Sequence, residues 1–233
     1  MEKLQVAEHF ISINGEGRRA GQLAMFIRFT GCNLDCRYCD TKWANIPDAP
    51  YEAYTAQEIM KLIRDSGVRN VTLTGGEPLL QKGLPVLLEM LRAAPELQIE
   101  IETNGSVDIV SFLPEKADGA GKGIEKDNVT FTIDYKTPVS GMEDRMCSSN
   151  YQNLRRSDTV KFVVGSRDDM MKAKEIVESY HLVERGCAIY FSPCFGSIEP
   201  AEIVDFLVEQ HMNDVTLQLQ LHKYIWDPDK RGV

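Results

Sequence analysis

Three cysteines crowd into Gly31-Cys32-Asn33-Leu34-Asp35-Cys36-Arg37-Tyr38-Cys39-Asp40, at the spacing C-x3-C-x2-C. Three thiolates in one tight loop can take three corners of an iron–sulfur cube and leave its fourth iron open to a small-molecule ligand. A single zinc ion is the alternative, and it requires a fourth Cys or His. His9 is the nearest histidine in sequence and precedes the first clear strand candidate. Cys147, Cys187 and Cys194 are scattered and read as buried free thiols. Clustering of this kind is a ligand pattern, not a disulfide framework.

A second reactive pattern is Thr74-Gly75-Gly76-Glu77-Pro78, some forty residues on. Paired glycines let the main chain approach a ligand closely, and a carboxylate suits an ammonium group. Alone the pair is only a tight turn. Arg28 sits three residues before Gly31 between apolar neighbours, where a fully solvated guanidinium is out of place. Thr41, two residues after the last cysteine, offers a hard oxygen ligand or a helix N-cap. Ile13-Asn14-Gly15-Glu16-Gly17 is a glycine-flanked acid that reads either as a ligand contact or as a turn.

These residues need a scaffold, and the chain supplies one. Runs rich in β-branched and aromatic residues recur at 24–29, 71–74, 98–103, 130–134, 160–164, 189–192 and 215–220. Between them lie amphipathic segments. Thr55 to Glu58 forms a capping box ahead of Ile59, Leu62 and Ile63. Leu84, Leu87, Leu88 and Leu91 make a second apolar stripe, 168–180 a third, and Ile203 to Val208 a fourth, opened by Glu199-Pro200. The segments 114–128 and 138–158 read as loops. Alternating strand and helix predicts βα units around a parallel sheet, in one domain spanning 1–233. His222 and Tyr224 are expected on the last strand.

The chain has 233 residues, 43% hydrophobic and 26% charged, with a formal net charge of −9. That balance excludes disordered, fibrous and disulfide-stapled classes. The negative charge disfavours nucleic-acid partners. No apolar run is long enough to span a bilayer, and Met1-Glu2-Lys3-Leu4-Gln5 does not resemble a secretory leader. A cytoplasmic location is expected, with no membrane partner.

The cysteine triad with Tyr38 before its last member resembles the radical S-adenosylmethionine superfamily. Together with the glycine motif, the 10–17 segment and Arg28, the chain resembles the 7-carboxy-7-deazaguanine synthase family. Its usual Leu-Gln-Gly-Glu-Gly stands here as Ile13-Asn14-Gly15-Glu16-Gly17, and its Ser-Pro-Lys as Asp134-Tyr135-Lys136. The resemblance implies an α/β fold, a partial, open (β/α) barrel of the radical SAM type, truncated from the six-strand version. It implies a lyase that converts 6-carboxy-5,6,7,8-tetrahydropterin to 7-carboxy-7-deazaguanine with loss of ammonia, in queuosine or deazapurine biosynthesis. Its cofactors are a 4Fe-4S cluster, S-adenosylmethionine and Mg2+. Its partners are the pterin, a flavodoxin or ferredoxin reductant, and a second copy in a homodimer.

Residue roles are implied in the same way. Cys32, Cys36 and Cys39 hold the cluster, and Thr41 the magnesium. Tyr38, Cys39, Asp40, Gly75, Gly76, Glu77, Asn104, Asp134, Tyr135, Lys136, Ser192, Pro193, Cys194 and Phe195 surround the cofactor. Ile13, Asn14, Gly15, Glu16, Arg28 and Thr74 contact substrate, joined by Val233 through its terminal carboxylate. The rival readings are a glycyl-radical enzyme activase and a non-enzymatic zinc or iron–sulfur protein.

Overall fold

The computed structural model describes residues 2–114 and 127–233, so most of the loop expected over 114–128 lies outside the described residues. The described chain builds nine strands: β1 Leu4–Ile13, β2 Leu23–Phe29, β3 Glu52–Tyr54, β4 Asn70–Gly75, β5 Gln98–Thr103, β6 Val129–Tyr135, β7 Thr159–Val164, β8 Ala188–Pro193 and β9 Val215–Leu217. They form a single open sheet in the order β3-β1-β2-β4-β5-β6-β7-β8-β9. From β2 to β9 every neighbouring pair is parallel, while β1 lies antiparallel to both β2 and β3.

Side-chain alternation gives this sheet two different faces. Ile27, Phe29, Leu73, Ile99, Ile101, Phe131, Ile133, Phe162 and Phe191 are buried on the outer face in one continuous core. Each such side chain contributes roughly 1.5–3 kcal/mol of apolar burial. The positions between them are Arg28, Thr72, Thr74, Glu100, Glu102, Thr132, Asp134, Lys161 and Ser192. They turn to the concave face, which is polar.

Helices cover the outer face. Thr55 caps α2 (Ala56–Ser66) with the expected capping box, which buries Ile59, Met60 and Ile63 before Gly67 ends it in a left-handed turn. Further cover comes from α3 (Leu84–Arg92), α5 (Arg167–Ser179) and α7 (Pro200–Glu209). The last opens with Glu199 and Glu202 in a second capping box and Pro200 at its first turn.

Seven strands run parallel, so the truncation expected from a six-strand barrel falls not on the strands but on the helical cover. Between β6 and β7 there are only two single 3-10 turns and the four-residue α4 (Ser149–Gln152). Tyr135, Tyr151, Tyr180, Phe162 and Phe191 stack in a chain of ring contacts along this side. The 138–158 segment is thus more ordered than its lack of periodicity suggested.

The sheet does not close on itself; the loop 14–22 between β1 and β2 bridges across to the residues that follow β9 instead. Gly17 N–H donates to Gln218 Oε1 at 2.7 Å, and Gln218 Nε2 returns a bond to the Gly17 carbonyl at 3.0 Å. Leu221 N–H reaches the Gly15 carbonyl at 3.0 Å. Gly17 has φ +79°, and a Cβ there would lie 2.6 Å from Glu100 Oε1. Only glycine fits. The strand expected over 215–220 stops at Leu217, because Gln218 bonds back to this loop. His222 and Tyr224 therefore lie on the short helix α8 (His222–Ile225), not on a strand.

Candidate active site

The cysteine triad follows β2 in a loop that the glycine motif holds in place. Gly76 N–H bonds the Phe29 carbonyl at 3.0 Å, and Glu77 N–H bonds the Gly31 carbonyl at 2.8 Å. A Cβ on Gly76 would lie 1.9 Å from the Gly31 oxygen, so the second glycine is what allows the two loops to touch. Gly75 has φ +136° and packs equally tightly on the Phe29 backbone. The two motifs, separate in sequence, are one built unit at the C-terminal ends of β2 and β4.

They open onto a cavity of about 1010 Å³ at the strand C-terminal ends, walled by Cys32, Cys36, Tyr38, Cys39, Gly75 and Gly76. Its other walls bring in Arg28, Thr74, Glu102, Asn104, Asp134, Lys136 and Lys161. Phe195 and the chain end from Pro228 to Val233 form the rim. Of the residues expected at the site, Ile13, Gly15, Glu16, Asp40, Thr41 and Cys194 also line it.

Asn14, Glu77, Tyr135, Ser192 and Pro193 do not line it. Asn14 is buried beneath the loop it closes, accepting from Thr72 Oγ1 at 2.8 Å. Glu77 is fully buried, and its two oxygens take Leu79 N–H, Thr103 Oγ1 and Asn104 N–H at 2.7–3.0 Å. It positions the motif and has no direct path to an ammonium. Tyr135 faces the outer core, as an odd position on β6 must, and its hydroxyl donates to Glu143. Ser192 sits on the concave face but spends its hydroxyl on Glu16 at 3.1 Å. Pro193 ends β8 beside it, buried.

Glu16 is the centre of the cavity floor. Its carboxylate accepts from Ser192 Oγ at 3.1 Å, Lys161 Nζ at 3.2 Å and Gln220 Nε2 at 3.3 Å. Lys161 also lies 3.6 Å from Asp134, which pairs with Lys136 at 2.9 Å. Burial pushes the Lys161 ammonium toward neutrality, but Glu16, Asp134 and Glu102 outweigh it and hold the group charged. Glu102 is pushed up by burial, and Thr74 Oγ1 donates to it at 2.7 Å. At the mouth, Arg28 pairs with Glu8 at 2.8 Å. Desolvation works against the Asp40 charge, but Lys223, the Thr41 hydroxyl and Arg28 hold its carboxyl below the usual value. Arg231 stacks over Trp43 at 4.3 Å, tying the chain end to the helix α1 (Lys42–Asn45) after the triad. Replacing Arg231 with Ala is expected to raise KM about threefold with little change in kcat, because a stack of this size is worth about 0.5–1 kcal/mol. Steady-state kinetics check this.

Lys161, Gln220, Glu8 and Asn45 were not singled out from sequence, and Glu102 was read only as part of the polar, cofactor-facing strand end Glu102-Thr103-Asn104-Gly105. A signal existed for two of them: Glu102 and Lys161 each interrupt an apolar strand at the alternate positions that share a face with Arg28 and Asp134. Glu8 and Asn45 carried none, because their neighbours come from distant segments.

Just below the floor, Glu100 is buried with Thr132 and Arg19 and faces Glu102 on its own strand and Lys161 on β7. Burial, then the Glu102 charge, push its carboxyl up to about 7. The native state therefore holds this proton more tightly than the unfolded chain, whose value is 4.5. That contribution is fully present below about pH 4.5 and is lost as pH rises through about 7. Glu100→Gln is expected to flatten the fall in melting temperature across that window, with an upper limit of about 3 kcal/mol. Thermal denaturation against pH measures it.

The donors fit the groups expected from sequence. Three cysteine sulfurs border the cavity, yet among the described residues no three His, Cys, Asp or Glu side chains converge on one ion. Three sulfurs suit three corners of a cube, whereas a single zinc calls for a fourth Cys or His beside them. His9 does not line the cavity; it lies on β1 with its ring against Tyr54. Among the described residues, Tyr38 Oη, Asn45 Oδ1 and Asp134 Oδ1 are buried without partners, all on the cavity wall. Unpartnered acceptors there suit a ligand bearing an ammonium group and hydroxyls. Thr41 makes no cap bond to α1; its hydroxyl donates to Asp40 at 3.0 Å.

The model of the radical SAM superfamily matches residues 26–146. The 7-carboxy-7-deazaguanine synthase of Clostridium acetobutylicum is 51% identical over 229 residues, 98% of this chain and 99% of that one. That of Chlorobaculum tepidum is 37% identical over 99% of this chain and 97% of that one. Among solved structures, QueE from Escherichia coli matches with TM-score 0.68 and 21% identity, covering 93% of each chain.

Proposed function

Because the chain belongs to the 7-carboxy-7-deazaguanine synthase family of the radical SAM superfamily, we propose that this cavity seats a cluster, S-adenosylmethionine and a carboxylated pterin side by side. The protein is a radical SAM lyase that forms 7-carboxy-7-deazaguanine, from 6-carboxy-5,6,7,8-tetrahydropterin with loss of ammonia. One observation carries the residue assignment. Cys32, Cys36 and Cys39 share a single cavity with Gly76, Glu16 and Arg28, which differ from one another in the chemistry they suit.

When bound, the cluster and S-adenosylmethionine supply the hydrogen-abstracting radical. The protein's own part is placement. Cys32, Cys36 and Cys39 hold the cluster, and the backbone of Gly75 and Gly76 receives the amino-acid end of the cofactor. Asp134 Oδ1 and Tyr38 Oη, both lacking partners, would be free to hydrogen-bond its hydroxyls. Arg28 binds the pterin carboxylate, exchanging its contact with Glu8 for a bidentate one. Glu16 keeps an acceptor site free after its three donors and takes an N–H from the donor-rich pterin edge. Glu102, held by Thr74, stays close to the same edge. Thr41 and Asp40 offer oxygens to Mg2+ at the rim. The chain end from Pro228 to Val233 limits water entry.

Among the described residues no helix is long and apolar enough to cross a membrane. The three-residue edge strands β3 and β9 leave pairing positions for a second copy in a homodimer. The electron comes from a flavodoxin or ferredoxin. Anaerobically reduced protein with S-adenosylmethionine and the carboxypterin is expected to yield the deazapurine chromophore. No product, together with a glycyl radical on an added partner protein, would favour the activase reading.

A further inference from the structure

Two asparagine amides point at cysteine sulfurs from separate elements. Asn104, just after β5, donates Nδ2–H to Cys32 Sγ at 3.4 Å and shares it with Asn33 Oδ1 at 3.1 Å. Its orientation is fixed, because Oδ1 accepts from Ser106 N–H at 2.9 Å and a backbone N–H can only donate. Asn45, at the end of α1, donates Nδ2–H to Cys39 Sγ at 3.8 Å. Leu34 N–H adds a backbone donor to Cys32 Sγ at 3.4 Å. Asn104 was expected to face the cofactor; its amide is turned to the sulfur.

We propose that Asn104 and Asn45 are positioning residues that raise the cluster's reduction potential by hydrogen-bonding the sulfurs of Cys32 and Cys39. This rests on the triad holding a cluster, as proposed above. Reduction adds negative charge that the sulfurs share, and N–H dipoles aimed at them stabilise the reduced state more than the oxidised one. Burial acts in the opposite direction: Cys36 is buried, and a site removed from water disfavours the added negative charge of the reduced state. The two amides are the side-chain counterweight to that burial, and they decide which reductants can deliver the electron.

The test is an EPR-monitored redox titration of the reconstituted protein, with neither S-adenosylmethionine nor pterin present. Asn104→Ala is expected to lower the reduced-to-oxidised ratio at fixed potential about tenfold, which is 59 mV for one electron. Asn45→Ala is expected to lower it less, because its contact is longer. The double variant is expected to show the sum, since the donors serve different sulfurs. Asn104→Asp keeps the turn to Ser106 while removing the N–H, so it lowers the potential even if the Ala variant loses its fold. Unchanged midpoints in both Asn45→Ala and Asn104→Asp, with wild-type iron content, would overturn the inference and leave the cluster reading intact. Wild-type protein that takes up no iron overturns both.

Discussion

Cys36→Ala is expected to lose turnover entirely, and iron content with it, while the apoprotein keeps its fold. In the proposed reading the three sulfurs act as a set, because each would hold a different iron and a cube bound through two corners is not retained. The loop itself does not depend on the metal. It is fixed by Gly31 N–H to the Ala44 carbonyl, Glu77 N–H to the Gly31 carbonyl and Arg37 N–H to the Ser140 carbonyl, at 2.8–3.1 Å. Deleting one buried sulfur from such a loop costs about 1–2 kcal/mol of stability. Anaerobic reconstitution, iron analysis and circular dichroism separate the two effects. A Cys36→Ala protein with a full iron complement and normal turnover would disprove the ligand assignment. The same treatment of Cys194, which lines the cavity far along the chain from the triad, is expected to leave iron content unchanged.

The second large effect is expected at Glu16. Glu16→Gln replaces an acceptor-only group with one that must present an N–H2 to Lys161, Ser192 or Gln220. Lys161 keeps Asp134 as a counter-charge at 3.6 Å, so the floor survives with a loss of about 1–3 kcal/mol. The substrate loses its acceptor, and a charged hydrogen bond removed from a buried site costs about 1.5–3 kcal/mol. KM for the pterin should therefore rise about 10- to 150-fold, with kcat less affected. Glu16→Asp keeps the charge but withdraws it, and should fall between the two. Equal KM values for wild type and Glu16→Gln would place substrate recognition elsewhere, with Glu102 the next residue to test. Neither variant should alter iron content, which distinguishes this floor from the cluster wall.

Both predictions concern groups visible in the sequence, yet they differ in how they could be read there. The triad is local: three sulfurs within one turn need no tertiary information to be grouped. Apart from the family resemblance, Glu16 was visible only as an acid between glycines, and its surroundings came from Lys161 on β7, Ser192 on β8 and Gln220 after β9. Helix boundaries were likewise local, since capping boxes at Thr55 and Glu199 are made by residues three apart. The long antiparallel strand β1 went unread, because Leu4–Ile13 mixes charged and apolar residues without clean alternation.

The sequence by itself determined the cysteine set, the glycine motif, the parallel order of βα units and the apolar outer face. Each depends on spacing within a single segment, or on a repeat of strand and helix that has few ways to pack. Only the tertiary structure decided that Glu77, Asn14 and Tyr135 turn away from the cavity, and that Glu102 and Lys161 turn into it. A shift of one residue along a strand reverses the face, and which face is concave depends on the sheet as a whole. Closure by the 14–22 loop against Gln218 and Leu221 was beyond the sequence for a related reason. It joins residues about two hundred positions apart through hydrogen bonds that no local pattern announces.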